Sequence, residues 1–268
     1  MTMIKRDPSF ELKKHLSSNW ANDDVFLTAV LNALSFCFPK GEKFFMKSVR
    51  AFKDDVRLKD MSEEIRMFCI QEATHTREHI KYNQLLCELK GYDLEKLESI
   101  FIKSLEKSYT DKVDNKTRLA ITTAIEHITA TMGTNILKGK ILKSDNPVVD
   151  MWKWHSLEEV EHKSVSHDVY KTINGSNKVL RIVMKLGLID LIFVITRIAI
   201  NMLKHDKQFW KLSTFKSMFK FFFSKKGALR VNYADYKSFF DKDFNPETHG
   251  SDLDLTPWKE KFSTNQFV

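Results

Sequence analysis

The sequence is poor in the residues that tight turns and disulfide bonds require. Its 268 residues include only 8 glycines, 5 prolines and 3 cysteines. An all-β fold needs many turns, so this composition argues against one. An odd number of cysteines without metal-like spacing argues against a disulfide framework and favours a reducing compartment. The first residues lack the apolar run of a secretory signal, and we therefore expect a cytoplasmic protein.

The apolar residues recur instead at intervals of three and four, which is the spacing of a helix with one buried face. Turn-forming and helix-capping residues divide the first two thirds of the chain into segments. They predict helices over residues 24–53, 62–90, 93–109, 114–142 and 148–173. The first of these is expected to be interrupted near Pro39, because proline lacks the backbone N–H that a helix interior needs.

Two Glu-x-x-His steps follow two further glutamates at matched distances. One glutamate lies 30 residues before the first step, and the other lies 33 residues before the second. A helix places residues three, four and seven apart on one face, so each step presents a carboxylate and an imidazole together. Four helices carrying such donors would form a two-metal centre. The candidate ligands are Glu42, Glu72, His75, Glu126, Glu159 and His162, and the two stripes are extended by His79 and His155.

Metal-free interpretations of these residues stay open at this point. The glutamates and histidines would also suit exposed ion pairs along a helix, or a buried polar network without metal. The apolar neighbours of Glu72 and Glu126 favour burial, and a buried carboxylate without a partner is costly. Carboxylate and imidazole ligands together suit iron or manganese and also accept zinc. We therefore expect two metal ions, with iron first and manganese or zinc as alternatives.

Four stretches of the chain resemble a known family. FPKGEKFF, QEATHTREH, AIEH and WHSLEEVEHK are similar to segments of the bacterial "predicted metal-dependent hydrolase" family, and the resemblance covers roughly residues 20–205. The same residues resemble the ligand set of ferritin-like di-iron arylamine N-oxygenases, which is Glu, Glu-x-x-His, Glu and His-x-x-x-Glu-x-x-His. That second resemblance implies seven ligands: Glu42, Glu72, His75, Glu126, His155, Glu159 and His162. His79 has no counterpart in the pattern and stays a candidate eighth ligand.

Together with the helix pattern, the resemblance implies an all-α fold: a ferritin-like four-helix bundle with an inserted crossover helix and a C-terminal helical extension. The bundle would occupy residues 1–176, and the extension residues 177–268. The implied activity is O2-dependent oxidation of a small apolar substrate, with electrons from an external donor. Two alternatives are a hydrolase that uses metal-activated water and a non-catalytic metal-binding helical protein.

Positive charge is concentrated in the last third of the chain. Residues 171–230 carry 13 Lys/Arg and 2 Asp/Glu, a local charge of +11, whereas the rest of the chain has a net charge of about −3. No zinc finger, recognition helix or RNA-binding module is recognisable there, so we expect no nucleic-acid partner. Helices are predicted over 179–204, which is apolar, and 209–226, which is rich in phenylalanine. We expect this region to pack on the bundle or at a homodimer contact, with peripheral membrane contact through 179–226 as the alternative.

Overall fold

The chain folds into helices joined by short connections. This computed structural model describes residues 3–241, 243–248 and 252–263. No β-strand lies among the described residues, which confirms the all-α prediction. The helices are α1 (Val25–Arg50), α2 (Ser62–Lys90), α3 (Leu94–Leu105), α4 (Asn115–Leu137), α5 (Pro147–His162), α6 (Val165–Thr172), α7 (Asn177–His205), α8 (Leu212–Phe223), α9 (Ala228–Ser238) and α10 (Thr256–Lys261).

Short polar side chains fix where several helices begin. Each accepts a hydrogen bond from a backbone N–H in the first turn, which satisfies a donor that the helix itself leaves unpaired. Gly91 ends α2 in the left-handed conformation, with φ at 68°, as its sequence position predicts. The capping residues are Asp24 for α1, Asp93 for α3, Asp114 for α4, Asn146 for α5 and Ser176 for α7.

Four helices enclose a common interior. α1 packs against α2 and α4, and α5 packs against the same two helices. α3 lies in the crossover between α2 and α4, where the sequence predicts an inserted helix, and packs on α1 and α7. The four enclosing helices are the ones that carry the predicted metal ligands, so the fold directs those side chains toward one space.

The predicted interruption of the first helix is wrong, because α1 runs without a break through Pro39. Proline at this position leaves the carbonyl of Ser35, four residues earlier, without its helical donor. The side chain of Asn83 on α2 supplies that donor, with its Nδ2 at 3.1 Å from the Ser35 carbonyl oxygen. A tertiary contact therefore replaces the missing backbone hydrogen bond and keeps the helix intact.

Two further helix boundaries differ from the predictions. The predicted helix over 148–173 is divided into α5 and α6 by a turn at Lys163 and Ser164, directly after His162. The hydroxyl of Thr123 on α4 donates to the carbonyl of Ser166 at 3.1 Å, which supports the chain beyond this turn. α4 ends at Leu137, five residues before the predicted end at residue 142.

The apolar C-terminal helices lie against the ligand-bearing helices. α7 packs on α1, α3 and α4. α8 packs on α1, where the ring centres of Phe221 and Phe222 lie 5.4 and 5.8 Å from the ring centre of Phe26. Within the described part of the chain, no helix has the length and apolar character needed to cross a membrane. The division of the chain at residues 176 and 177 stays a prediction.

Candidate metal centre

The seven side chains predicted as ligands lie together in the space that α1, α2, α4 and α5 enclose. None is more than 3 % exposed to solvent. α1 contributes Glu42, α2 contributes Glu72 and His75, α4 contributes Glu126, and α5 contributes His155, Glu159 and His162. Burial of all seven excludes the interpretation of these residues as exposed ion pairs along a helix surface.

Their donor atoms form overlapping groups in which all atoms lie within 4.8 Å of one another. One group consists of Glu42, His75 and His155, and a second, which shares no residue with it, of Glu72, Glu126 and His162. A third group combines Glu72, His75 and Glu159 and so connects the other two. Three oxygen or nitrogen donors at such spacing are typical of the sites that hold divalent ions.

His162 directs its Nε2 at the carboxylates. Its Nδ1 lies 3.0 Å from the side-chain oxygen of Gln71. The amide nitrogen of Gln71 donates to the backbone oxygen of Ile4 and to Glu161, so its oxygen can only accept from the His162 Nδ1–H. In the neutral ring, the lone pair is therefore on Nε2, 3.1 Å from Glu72 and 3.4 Å from Glu126; without a cation, these carboxylates favour a proton on Nε2 and raise the pKa of His162.

A chain of hydrogen bonds likewise determines which ring nitrogen of His155 faces the carboxylates. Asn83 donates to the Ser35 carbonyl, so its Oδ1 accepts from the Ser35 hydroxyl at 2.6 Å. The Ser35 oxygen, 2.8 Å from His79 Nδ1, then accepts from that nitrogen, and His79 Nε2 accepts from His155 Nδ1 at 2.8 Å. His155 Nε2 faces Glu159 at 2.8 Å, and in the neutral ring it is the nitrogen that carries the lone pair. The structure thus places His79 behind His155, with both ring nitrogens engaged, rather than against the carboxylates.

His75 has a carboxylate on its outer side. Its Nε2 lies 3.0 Å from Glu158, and its Nδ1 lies 3.9 Å from Glu72 and 4.0 Å from Glu159. A proton on Nε2 attracts the Glu158 carboxylate, which leaves the Nδ1 lone pair facing the centre. Histidine ligands of metals are commonly held by an outer carboxylate or amide in this way. All three histidines of the centre share this arrangement.

The centre is electrostatically strained without a cation. Burial raises the pKa of Glu42 and Glu72 well above the ordinary value, and it raises the pKa of Glu126 to about 7. Burial also opposes ionisation of Glu159, but hydrogen bonds with His155 and His162 outweigh it and lower that pKa.

The oxygens of Glu72 and Glu126, one oxygen of Glu42 and the facing nitrogen of His162 have no hydrogen-bond partner among the described residues. Buried acceptors that face one another in this way fit bound divalent ions, since a cation satisfies several of them at once.

The match to a protein-family sequence model shows which family the chain belongs to. The sequence model of a family described as "Predicted metal-dependent hydrolase" matches residues 4–250. The chain belongs to this family. No curated protein and no solved structure matches the chain. Family membership and the donor groups together support a metal-dependent enzyme.

In this predicted metal-dependent hydrolase, a buried ion-pair network supports the ligand helix α5 from outside. Arg6 donates two hydrogen bonds to Glu161, both at 2.8 Å, and one to Glu158 at 3.0 Å. Trp154 also donates to Glu158, at 3.2 Å. Glu158 is the carboxylate that holds His75, so Arg6 acts on the centre through it.

The sequence analysis missed Arg6 and Gln71. One signal was available in hindsight, because α5 carries acidic residues beyond the ligand stripe, so that its acidic and histidine side chains cover about half of its circumference and need partners outside the centre.

An apolar cavity of about 390 Å³ lies beside the centre of this family member, between α1, α3, α4 and α7. Two of its lining residues also contact predicted ligands. Thr129 donates a hydrogen bond to Glu159 at 2.5 Å, and Phe38 packs on the ring of His155 with 4.5 Å between ring centres. At the solvent side, Lys107 and Asp190 line the cavity and lie 3.8 Å apart. The cavity therefore leads from the surface to the donor cluster.

Proposed function

We propose that this protein is a two-metal hydrolase acting on a small apolar substrate bound in the cavity beside the metal centre. The observation that carries the proposal is the double role of Phe38 and Thr129, which contact predicted ligands and line the cavity at once. A ligand in the cavity would lie next to the donor cluster, and its surroundings would be almost entirely apolar. The family description favours hydrolysis as the reaction class.

The proposed ion positions follow the two separate donor groups. Glu42, His75 and His155 would hold one ion, and Glu72, Glu126 and His162 would hold the other. Glu159 faces both, since its oxygens lie 2.8 Å from His155 Nε2 and 3.6 Å from His162 Nε2. Bound divalent ions polarise a carbonyl or phosphoryl group and lower the pKa of water. Iron, manganese and zinc are all compatible with these donors.

The chain's own residues would position the substrate and exclude water. Phe38, Ile121 and Ile125 present apolar surface to the cavity interior, which favours an apolar substrate over bulk water. Thr129 holds Glu159 by its hydroxyl and so fixes one carboxylate on the cavity side. The Lys107–Asp190 pair at the solvent side would accept a polar end of the substrate. We further propose a ferritin-like bundle for α1, α2, α4 and α5.

O2-dependent oxidation is the second candidate, and the donor types favour it. Four carboxylates and three imidazoles, all on helices, are the ligand set that resembles di-iron N-oxygenases. An almost wholly apolar cavity also suits an oxidisable substrate that offers no polar bond to water. This reaction would require an external electron donor.

Metal loading separates the two reactions. The metal-free chain is loaded anaerobically with ferrous iron, manganese or zinc, and its metal content is measured. It is then assayed with p-nitrophenyl esters of short acyl chains and for O2 uptake. The hydrolase proposal expects ester cleavage with zinc or manganese. Ester cleavage with none of the metals, together with O2 uptake by the iron form, would replace it with oxidation.

A pair of variants tests the centre itself. Glu126→Gln removes one buried carboxylate at nearly unchanged volume, so the loaded protein should lose metal and activity while it stays folded. Glu64→Gln makes the same change at an exposed position of α2 and should leave both unchanged. Equal metal content in the two variants would remove Glu126 from the proposed site.

A further inference from the structure

Two C-terminal helices, α7 and α8, carry apolar side chains on their solvent-facing sides, where a helix packed on one side usually has polar residues. On α7, the side chains at positions 182, 186, 189 and 193 recur at intervals of four, three and four, and each is between 47 and 66 % exposed. Such spacing places them in one line along the helix. On α8 and the segment before it, the exposed apolar residues are Trp210, Leu212, Phe215, Phe219 and Phe223. Several exposed apolar side chains grouped along a helix in this way mark a site of interaction with a protein or a membrane.

The same two helices and the segments that adjoin them carry the excess positive charge. Asp190 and Asp206, the only acidic residues between 171 and 230, already pair with Lys107 and Lys90. A further set of basic side chains pairs with no carboxylate in the part of the chain that the structure describes. These are Lys178, Arg197, Lys207, Lys211, Lys216, Lys225 and Lys226.

The charge of this face decides between its conceivable occupants. A second copy of the chain would bring two faces of equal positive charge together, which opposes association. A surface of anionic lipid complements the charge and accepts the exposed aliphatic and aromatic side chains in its interfacial layer. Nucleic acid complements the charge, but it offers no apolar layer for the aliphatic side chains of Ile182, Leu186 and Ile189.

The α7 face is continuous with the cavity. Leu186 is 62 % exposed and also lines the cavity, as do Gly187, Asp190 and Leu191 on the same helix. A molecule leaving an apolar phase at this face would therefore meet the cavity without crossing bulk water.

We propose that α7 and α8 dock this protein onto a membrane surface rich in anionic lipid, and that the apolar substrate enters the cavity from that surface. The docking stands on exposure and charge alone, whereas the delivery of substrate rests on the proposed function.

Vesicle binding by the full chain tests the docking. The probes are vesicles of phosphatidylcholine alone and of phosphatidylcholine with phosphatidylglycerol at about 7:3, a content chosen to give a negative surface potential. We expect sedimentation with the anionic vesicles, little with the neutral ones, and weakening by salt, since about 1 M salt shortens the Debye length to about 3 Å. Equal binding to both vesicle types, or to neither, would overturn the proposal.

Matched variants locate the surface. Ile189→Glu on α7 and Phe219→Glu on α8 should each lower vesicle partitioning by about tenfold or more, because a charge replaces an inserted apolar side chain. Val56→Glu makes the same change at an 82 % exposed position outside this face and should bind as the unaltered protein does. The double variant Lys216→Glu/Lys225→Glu should weaken vesicle binding more than the control double variant Lys13→Glu/Lys14→Glu, which makes the same charge change elsewhere in the chain. An equal loss in Val56→Glu would contradict the assignment of the face.

Two other results would replace the membrane with another partner. If the protein is a dimer that Ile189→Glu converts to a monomer, and vesicles do not bind, the face joins two copies. If a single-stranded oligonucleotide binds tightly and vesicles do not, the face binds nucleic acid. Metal content and helical circular dichroism confirm folding of each variant. Since docking requires no metal, a failure to bind vesicles leaves the proposed activity untouched, and inactivity leaves the docking untouched.

Discussion

At the scale of single residues, the histidines of the centre depend on neighbours that would touch no metal. Gln71, Glu158 and His79 each bind the outer nitrogen of one ring and so determine which nitrogen carries the lone pair. An imidazole in the other tautomer would turn an N–H toward the centre, where it cannot bind a metal ion. The outer partners are therefore part of the proposed site, although their position in the sequence gives no ligand spacing.

His79 offers a direct test of this dependence. Glutamine at this position can still accept from His155 Nδ1 and donate to Ser35, whereas leucine can do neither. We expect His79→Leu to lower metal affinity by about 10- to 100-fold and His79→Gln to lower it much less. Competition titration with a chelator measures the affinity, and thermal unfolding checks the fold. If the two variants bind metal equally, His79 does not orient His155.

Arg6 is a second residue whose removal should be costly. It pairs with Glu158 and Glu161, and its own side chain is buried. Arg6→Met would therefore leave buried Glu158 without a cation and Glu161 with only the partly exposed Lys259, 3.7 Å away. Breaking a buried ion pair from one side costs about 3–5 kcal/mol of the free energy of unfolding. Denaturant unfolding measures the loss, and Lys5→Met, an exposed neighbour, is the control. A loss below about 1 kcal/mol, the range of surface pairs, would contradict this account.

At the scale of elements, Pro39 and Asn83 form a linked pair across α1 and α2. Pro39 frees the Ser35 carbonyl, and Asn83 occupies it. Because Asn83 is held in this orientation, its oxygen accepts the Ser35 hydroxyl, and the hydrogen-bond chain to His79 and His155 begins. A local irregularity of one helix is thus connected to the orientation of a predicted ligand on another.

A double-mutant cycle tests this link. Asn83→Leu leaves the Ser35 carbonyl without a donor and should cost about 1–3 kcal/mol of the free energy of unfolding. Pro39→Ala restores a backbone N–H that can bond the same carbonyl, so Asn83→Leu should cost less in that background. Additive losses in denaturant unfolding would show that the two residues act independently.

The elements also show what sequence reasoning can reach. Helix α2 begins and ends at its predicted positions, and α3 and α4 begin within one residue of theirs, because caps and apolar spacing are local signals. The seven predicted ligands meet because their spacing follows the same local rule. The passage of α1 through Pro39 was not predictable, since it depends on Asn83, which lies 48 residues from Ser35. Arg6 and Glu158 are 152 residues apart in the sequence, and the cavity forms only where four helices pack together. Neither feature therefore produces a local sequence pattern.

At the scale of the whole molecule, the proposed centre concentrates carboxylates in the interior of the fold. Four carboxylates lie in one interior, and the buried guanidinium of Arg6 pairs with the outer carboxylates Glu158 and Glu161 instead. Burial disfavours the charged imidazolium and lowers the pKa of His162, but contact with Glu126, Glu159 and Glu72 outweighs burial and raises this pKa well above its ordinary value. Without metal, the fold therefore retains protons that a bound cation would displace.

The buried carboxylates predict how metal and pH together affect the stability of the fold. The pKa of Glu126 is about 7 in the folded chain against 4.5 as its ordinary value, and the pKa values of Glu42 and Glu72 are raised in the same direction. A group with a raised folded pKa stabilises the fold fully below its unfolded pKa, and this contribution is lost as pH rises through the folded pKa. These carboxylates should therefore make the metal-free protein lose stability between about pH 5 and pH 8, against an opposite contribution from His75 and His79, whose pKa values burial lowers.

Metal should reverse this trend, because deprotonated ligands bind it more tightly as pH rises. We expect the increase in Tm on adding metal to be larger at about pH 8 than at about pH 5.5, and the chelated protein to show the opposite slope. Differential scanning calorimetry with metal or with a chelator measures both. In Glu126→Gln, position 126 has no proton to lose, so the pH dependence of the chelated form should be smaller, whereas Glu64→Gln should match the unaltered chain. A metal-induced increase in Tm that is independent of pH would mean that these carboxylates are not the ligands.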